Sequence, residues 1–211
     1  METMKMIAFG IVALAFLTAG FFYPQMPDRM ATHWNIEGVA DGYGGKEVGV
    51  FLMPFLSLAL VGVLWVLPKL DPLRKNYDAF MKEYQTLTAL IIGFIYYIYL
   101  LTLAFNLGYQ FEFIRFFAPA LGILFYYMGA VMEKTKQNWF VGVRTPWTLS
   151  SEAIWNKTHR ITADLFRAAG IVAGLGAVFP PLLIASLAVL LASAVFSVVY
   201  SYFEFQGDMR E

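Results

Sequence analysis

Six apolar runs separated by polar segments constrain this chain more than any other feature: residues 6–23, 50–67, 86–107, 116–132, 164–179 and 182–203. The first holds 18 residues without a charge, behind Lys5. Most approach the roughly 20 residues that a helix needs to cross a hydrocarbon layer of about 30 Å. The fifth has only 16; it must thin the bilayer locally or borrow length from residues 161–163, with Arg167 reaching toward the interface. A re-entrant hairpin with the sixth run is its alternative, and the charge distribution below favours a crossing pair. A cleaved signal peptide is the competing reading of the first run. Ala19 and the aromatic residues after it make a poor cleavage site, so a retained span is expected. Apolar residues form 59% of the chain and charged residues 14%, against about a quarter charged in a soluble domain. The expected fold is an all-α integral membrane protein with six transmembrane helices.

Lysine and arginine set the orientation. With the N-terminus inside, the cytoplasmic segments hold twelve of the fifteen basic residues, from Lys5 to Arg210, and the outer segments hold only Arg29, Lys46 and Arg115. Both termini are therefore expected in the cytoplasm. The chain divides into a two-span unit over 1–67, a cytoplasmic linker over 68–85 and a four-span unit over 86–211. The two-span unit carries an outer loop over 24–49, turn-rich and compact; the four-span unit carries a cytoplasmic loop over 133–163.

Several chemistries are set aside at this level. Cysteine is absent, which removes disulfides and thiolate metal sites. His33 and Glu37 stand four apart, and Asp28 and Asp41 could complete a metal site, but the surrounding glycines oppose a continuous helix; a locally hydrogen-bonded His33 is expected, with no metal and no cofactor. The spans offer only hydroxyls and Asn106, with no Asp, Glu, Lys or His near a midplane, so coupled ion transport is not expected. No serine or threonine has a recognisable base beside it, which points away from an enzyme. A net charge of zero gives no ground for direct nucleic-acid binding. The tyrosines at 96, 97, 99, 126 and 127 read as helix-packing residues, and Gly170 with Gly174 as a close helix approach.

The polar stretch 138–160, NWFVGVRTPWTLSSEAIWNKTHR, holds three of the five tryptophans and one of the two histidines. Gly142 and Pro146 bracket a bend: glycine accepts backbone angles other residues avoid, and proline fixes its own φ and holds Thr145 out of the helical region. Thr148 or Ser150 is the expected cap of a following helix, with Glu152 suited to its positive end. Ile154, Trp155, Thr158, Ile161 and Thr162 then repeat at helical spacing, an amphipathic helix at the membrane surface. Interfacial anchoring accounts for Trp139 and Trp155. A guanidinium on a rigid bend also suits a carboxylate, a lipid phosphate or backbone carbonyls, so anchor and anion site both stand.

The run Asn138-x-x-x-Gly142-x-Arg144-Thr145-Pro146-Trp147-Thr148-Leu149, followed by Trp155 and His159-Arg160, resembles the signature of the SdpI family of multispanning membrane immunity proteins. Tyr23-Pro24 through Pro27-Asp28 to Thr32-His33-Trp34-Asn35 and Gly38 resembles the domain of unknown function that commonly precedes it. The resemblance implies a protein that protects its membrane from a secreted toxic peptide and relays the peptide's presence by holding a cytoplasmic repressor. Pro27, His33, Trp34, Asn35 and Gly38 would then face the peptide. Asn138, Gly142, Arg144, Thr145, Pro146, Trp147, Thr148, Trp155, His159 and Arg160 would brace the helices or dock the partner. A membrane enzyme, or a small-molecule or lipid carrier with an anion site at Arg144, is the alternative.

Overall fold

A computed structural model describes residues 2–208; Arg210, counted above among the inner charges, lies outside them. The chain runs α1 (Glu2–Phe22), β1 (Arg29–Trp34), β2 (Ala40–Gly45), α2 (Lys46–Leu70), α3 (Met81–Asn106), α4 (Phe113–Lys134), α5 (Pro146–Ser150), α6 (Glu152–Leu175) and α7 (Pro181–Asp208). Among the described residues five helices, α1, α2, α3, α4 and α7, are long and apolar enough to cross a membrane. Each is longer than the apolar run that announced it, α2, α4 and α7 at both ends and α1 and α3 at the N-terminal end only, because helix geometry continues into the flanking residues.

The helical class expected of the chain is consistent with the structure, with one addition and one correction. The 24–49 segment, expected as a turn-rich loop, folds into an antiparallel hairpin, with Arg29 opposite Gly45 and Trp34 opposite Ala40. The 152–163 segment is not a separate surface helix: it continues without a break into the fifth run, and the joint helix ends at Gly176. No glycine or proline interrupts 152–169, and the hydrogen-bond ladder costs less to continue than to start again.

Successive long helices alternate in direction. The hairpin marks one end of the bundle, where α1, α3 and α6 finish and α2, α4 and α7 begin. The 135–151 loop marks the other. Helices α1, α2 and α3 pack through Ala8, Val12, Val61, Ala89 and Ile92. Nearer the hairpin, Ala19, Met30, Val50, Tyr99 and Leu103 continue that core. Asn106 clamps the hairpin to α3: its Oδ1 accepts from Ala31 N–H at 2.7 Å and its Nδ2 donates to Ala31 O at 3.0 Å. Pro68, inside α2, leaves Leu64 O without its usual helical donor, and Tyr84 Oη fills that role at 2.5 Å.

Helices α4, α6 and α7 form the second group. Gly122 and Gly129 of α4 face Gly170 and Ala163 of α6 closely enough for backbones to touch. On α7, Ser186, Ser193, Ser197 and Ser201 are buried and repeat at helical spacing. Ser186 Oγ donates to Ala169 O at 2.8 Å, and Ser197 Oγ lies 2.8 Å from Thr162 Oγ1. In lipid, where apolar contact gives no advantage over lipid tails, small and hydroxyl side chains are what bring helices together.

Candidate functional site

Asn138 organises the 135–151 loop. It is fully buried, and its Oδ1 accepts from the N–H groups of Phe140 at 2.9 Å and Val141 at 2.6 Å and from Tyr77 Oη at 3.2 Å. Its Nδ2 donates to Lys136 O at 2.8 Å, Val141 O at 2.9 Å and Thr135 Oγ1 at 3.2 Å. Asp71, buried at the end of α2, accepts from Leu73 N–H at 2.7 Å and from Trp139 N–H at 2.8 Å. Asn76 Nδ2 donates to Gln137 O at 2.7 Å. The α2–α3 connection thus braces a loop more than sixty residues away.

The bend itself turns on Gly142 and His159. Gly142 has φ +114°, and a Cβ there would sit on His159 Nε2. His159 Nε2 accepts from Val143 N–H at 2.9 Å, and Nδ1 donates to Trp155 O at 2.8 Å, so the imidazole is neutral with its proton on Nδ1. Trp155 stacks on it at 3.9 Å and donates from Nε1 to Thr135 O at 2.9 Å. The expected caps are corrected here. Thr145, not Thr148 or Ser150, caps α5 in a reciprocal box with Thr148, and Ser151 caps α6. Proline at the start of α5 needs no N–H partner, which lets the cap fall one residue before it.

Burial depresses the His159 pKa from 6.5 to about 4. The unfolded chain takes up a proton near 6.5 that the folded chain refuses until about 4. The His159 contribution is therefore complete above the upper value and is lost as pH falls through that window, by up to about 1.4 kcal/mol per pH unit. Thermal unfolding in detergent, followed from about pH 7 to about pH 4.5, checks this: the parent should lose stability steadily, and His159→Gln should show a flatter profile.

The ten residues expected at this end sort into two groups. Asn138, Thr145, Thr148, Trp155 and His159 are buried and make the frame, with Gly142 at its turn. Arg144, Pro146 and Arg160 are exposed, and Trp147 lies partly covered against Tyr202, ring to ring at 5.2 Å. Arg144 donates to Trp139 O at 2.6 Å. It opens on a groove of about 500 Å3 lined by Trp139, Thr145, Thr162, Phe166 and Val198. Trp155 and His159 lie too deep to touch a partner. Asp71, Asn76 and Tyr77 were not anticipated; the Asp71-Pro72 step announces a turn, but nothing local names the loop that turn supports.

At the other end, Asn35 and Gly38 shape the hairpin turn. Asn35 Oδ1 accepts from Val39 N–H at 2.9 Å and Glu37 N–H at 3.1 Å, and Gly38 takes φ +78°. His33 pairs with Asp41 at 2.5 Å in the open, the local bond expected of it, and Pro27 is exposed ahead of β1. Trp34 stacks on Phe113 at 4.3 Å and meets Phe105 edge-on at 5.3 Å. Beneath it lies a cavity of about 300 Å3 whose walls come from the hairpin, α2, α3, α4 and α7, including Met53, Thr102, Phe117 and Leu187. Trp34 Nε1 is buried without an acceptor. An unpaired indole N–H beside an apolar cavity suits an apolar group that brings a carbonyl with it.

Residues 134–201 match the family described as the SdpI/YfhL protein family, and residues 10–58 match a domain of unknown function, DUF1648. A protein of Bacillus subtilis (strain 168) described as "Immunity protein SdpI" is 26% identical over 168 residues, covering 80% of this chain and 78% of that protein. No solved structure matches. With five helices of membrane-crossing length, these matches make the chain a multi-pass protein of the cell membrane.

Proposed function

We infer that this chain, which belongs to the SdpI family, is a membrane immunity protein that protects against a secreted toxic peptide and relays its presence by holding a cytoplasmic repressor. On this reading six helices cross the bilayer, α6 included, with both termini in the cytoplasm and the hairpin outside. The alternation of helix direction and the basic residues gathered at the 135–151 end support that orientation.

The observation that carries the proposal is the cavity under Trp34 with its unpaired indole N–H. An extended or helical peptide can offer both things the cavity lacks: an apolar side chain to fill it and a main-chain carbonyl for Trp34. Because the walls belong to both helix groups, occupancy favours whichever spacing of α3, α4 and α7 suits the bound peptide. A relay needs that difference in affinity between two arrangements. The exposed groove beside Arg144 and Trp139 is the seat proposed for the repressor, while the buried frame around Asn138 and His159 transmits the shift.

Expression in a sensitive host followed by peptide challenge tests the reading. Cells carrying the parent chain should survive. Trp34→Ala should lose protection, needing more than about tenfold less peptide for killing, since a buried tryptophan anchor is worth about 2 kcal/mol or more. Leu187→Trp should lose it by filling the cavity. Full protection by both variants, produced at parental levels, would refute the assignment of the cavity.

A further inference from the structure

The groove of about 500 Å3 beside Arg144 does not stop at the loop. Its floor is α6, which packs against both α4 and α7 and contributes Thr162 and Phe166. Met132 of α4 stands on one side, and Ala194 and Val198 of α7 on the other. The loop forms the remaining end, with Trp139 and Arg144. A repressor meets that loop end, and the length that follows α6 and α7 is left over. That length enters the bilayer. Glu204, paired with Lys157 at 2.7 Å, marks the watered end of α7, and Ala194 lies about 15 Å of helix below it. The groove therefore reaches about halfway into a hydrocarbon layer of about 30 Å.

The two ends ask for different chemistry. Arg144 is exposed and donates to Trp139 O at 2.6 Å, one use of a fork that carries five donors. Among the described residues no carboxylate forms an ion pair with it. The acids around the loop are engaged elsewhere. Asp71 accepts from the N–H groups of Leu73 and Trp139, and Glu152 is held by Lys136 at 2.9 Å. Below the guanidinium the groove needs nothing polar. Phe166, Ala194 and Val198 offer carbon, and the Thr162 hydroxyl is already bonded to Thr158 O and Ser197 Oγ. Trp139, 50% exposed, stands at the rim, the level where an indole suits lipid headgroups. The occupant must be an anion at one end and hydrocarbon along the rest.

We propose that this groove binds an anionic glycerophospholipid. Its phosphate accepts from the open side of the Arg144 fork, a planar, two-point contact. The glycerol lies against Trp139, and one acyl chain follows Phe166 between Met132 and Ala194. Inorganic phosphate leaves the carbon wall uncovered, and phosphatidylcholine sets a second cation beside the first. Bound lipid ties α4 to α7, which otherwise meet chiefly through α6. The site goes beyond the immunity reading and does not need it, since it is filled whether or not a repressor is present.

The test uses the full chain purified in neutral detergent, with lipid adducts counted by native mass spectrometry and thermal stability measured alongside. Phosphatidylglycerol and phosphatidylcholine of equal chain length are compared, with inorganic phosphate as a third arm. The parent should bind phosphatidylglycerol about tenfold more tightly than phosphatidylcholine and ignore inorganic phosphate. Arg144→Ala should bring phosphatidylglycerol down to the level of phosphatidylcholine, and Arg144→Lys, which keeps the charge but not the fork, should fall between. Ala194→Trp leaves the loop and Arg144 untouched, on an exposed face of α7. By filling the groove it should weaken phosphatidylglycerol binding about tenfold at an unchanged unfolding temperature. Equal binding of the two lipids by the parent, or undiminished phosphatidylglycerol binding by Arg144→Ala or by Ala194→Trp, would overturn the site. Displacement of phosphatidylglycerol by inorganic phosphate at equal concentration would overturn the lipid as its ligand.

Discussion

Asn138→Ala is expected to lower the unfolding temperature by on the order of 10 °C, several times the effect of Tyr77→Phe, which removes one bond to the same side chain. The amide is fully buried and serves two backbone N–H groups, two carbonyls and two hydroxyls. Alanine leaves those partners in place and takes away what satisfied them. Each buried group orphaned in this way costs about 1–3 kcal/mol, so even with water reaching half of them the loss is about 3–5 kcal/mol. Asn138→Asp separates chemistry from shape. It keeps an oxygen where Phe140 and Val141 donate, but sets another against the carbonyls of Lys136 and Val141, so it too should destabilise. Unfolding in detergent followed by intrinsic fluorescence is a suitable readout, with Trp139 and Trp155 on either side of the change. An Asn138→Ala protein that melts within about 2 °C of the parent would mean that the loop is held by something other than this amide.

The network explains why the sequence was informative about elements and poor about their connections. Apolar runs advertise helices one residue at a time, because each position's transfer energy is local. The hairpin does not advertise itself in the same way. β2, Ala-Asp-Gly-Tyr-Gly-Gly, has few strand-forming residues, and two register shifts break the alternation of β1. What holds the pair in place is Asn106, seventy-five residues from Ala31, which as a lone polar residue in a span gave no hint of a partner. The Trp155 and His159 spacing was legible as one helix face. Their depth was not, since tryptophan and histidine at a helix start suit a membrane interface as readily as a core. Only the return of the 135–145 segment over them decides between the two. Asp71 fails for the same reason: a turn residue is local, and the Trp139 N–H that it accepts is not.

The Gly170–Gly174 pair offers the sharpest contrast between a motif and a contact. Sequence treats the two glycines as equivalent halves of a close approach. In the structure a Cβ on Gly170 would lie 2.6 Å from Tyr126 N and 2.7 Å from Gly122 O, whereas one on Gly174 meets nothing within 4 Å. The atoms in the way at Gly170 are backbone and cannot rotate aside. Gly170→Ala should therefore force α4 and α6 apart and cost about 2–3 kcal/mol, with Gly170→Val worse. Gly122→Ala approaches the same contact from α4, where its Cβ would lie 2.6 Å from Gly170 O, and should behave alike. Gly174→Ala should be neutral or stabilising by about 0.5–1 kcal/mol, because alanine restricts the unfolded chain and favours the helix. Separation at Gly170 reaches further than the crossing point. Arg167, one turn away, holds Glu133 on α4, and the same helix pair carries the bond from Trp155 to Thr135. A parted α4–α6 pair should thus release the loop as well, making Gly170→Val and Asn138→Ala less than additive when combined. Thermal unfolding of the four glycine variants, of Asn138→Ala and of that double variant decides the matter. Equal damage from alanine at 170 and 174 would mean that the helices meet through the motif as a whole, or through a second chain, and not through the crossing at Gly122 and Gly170.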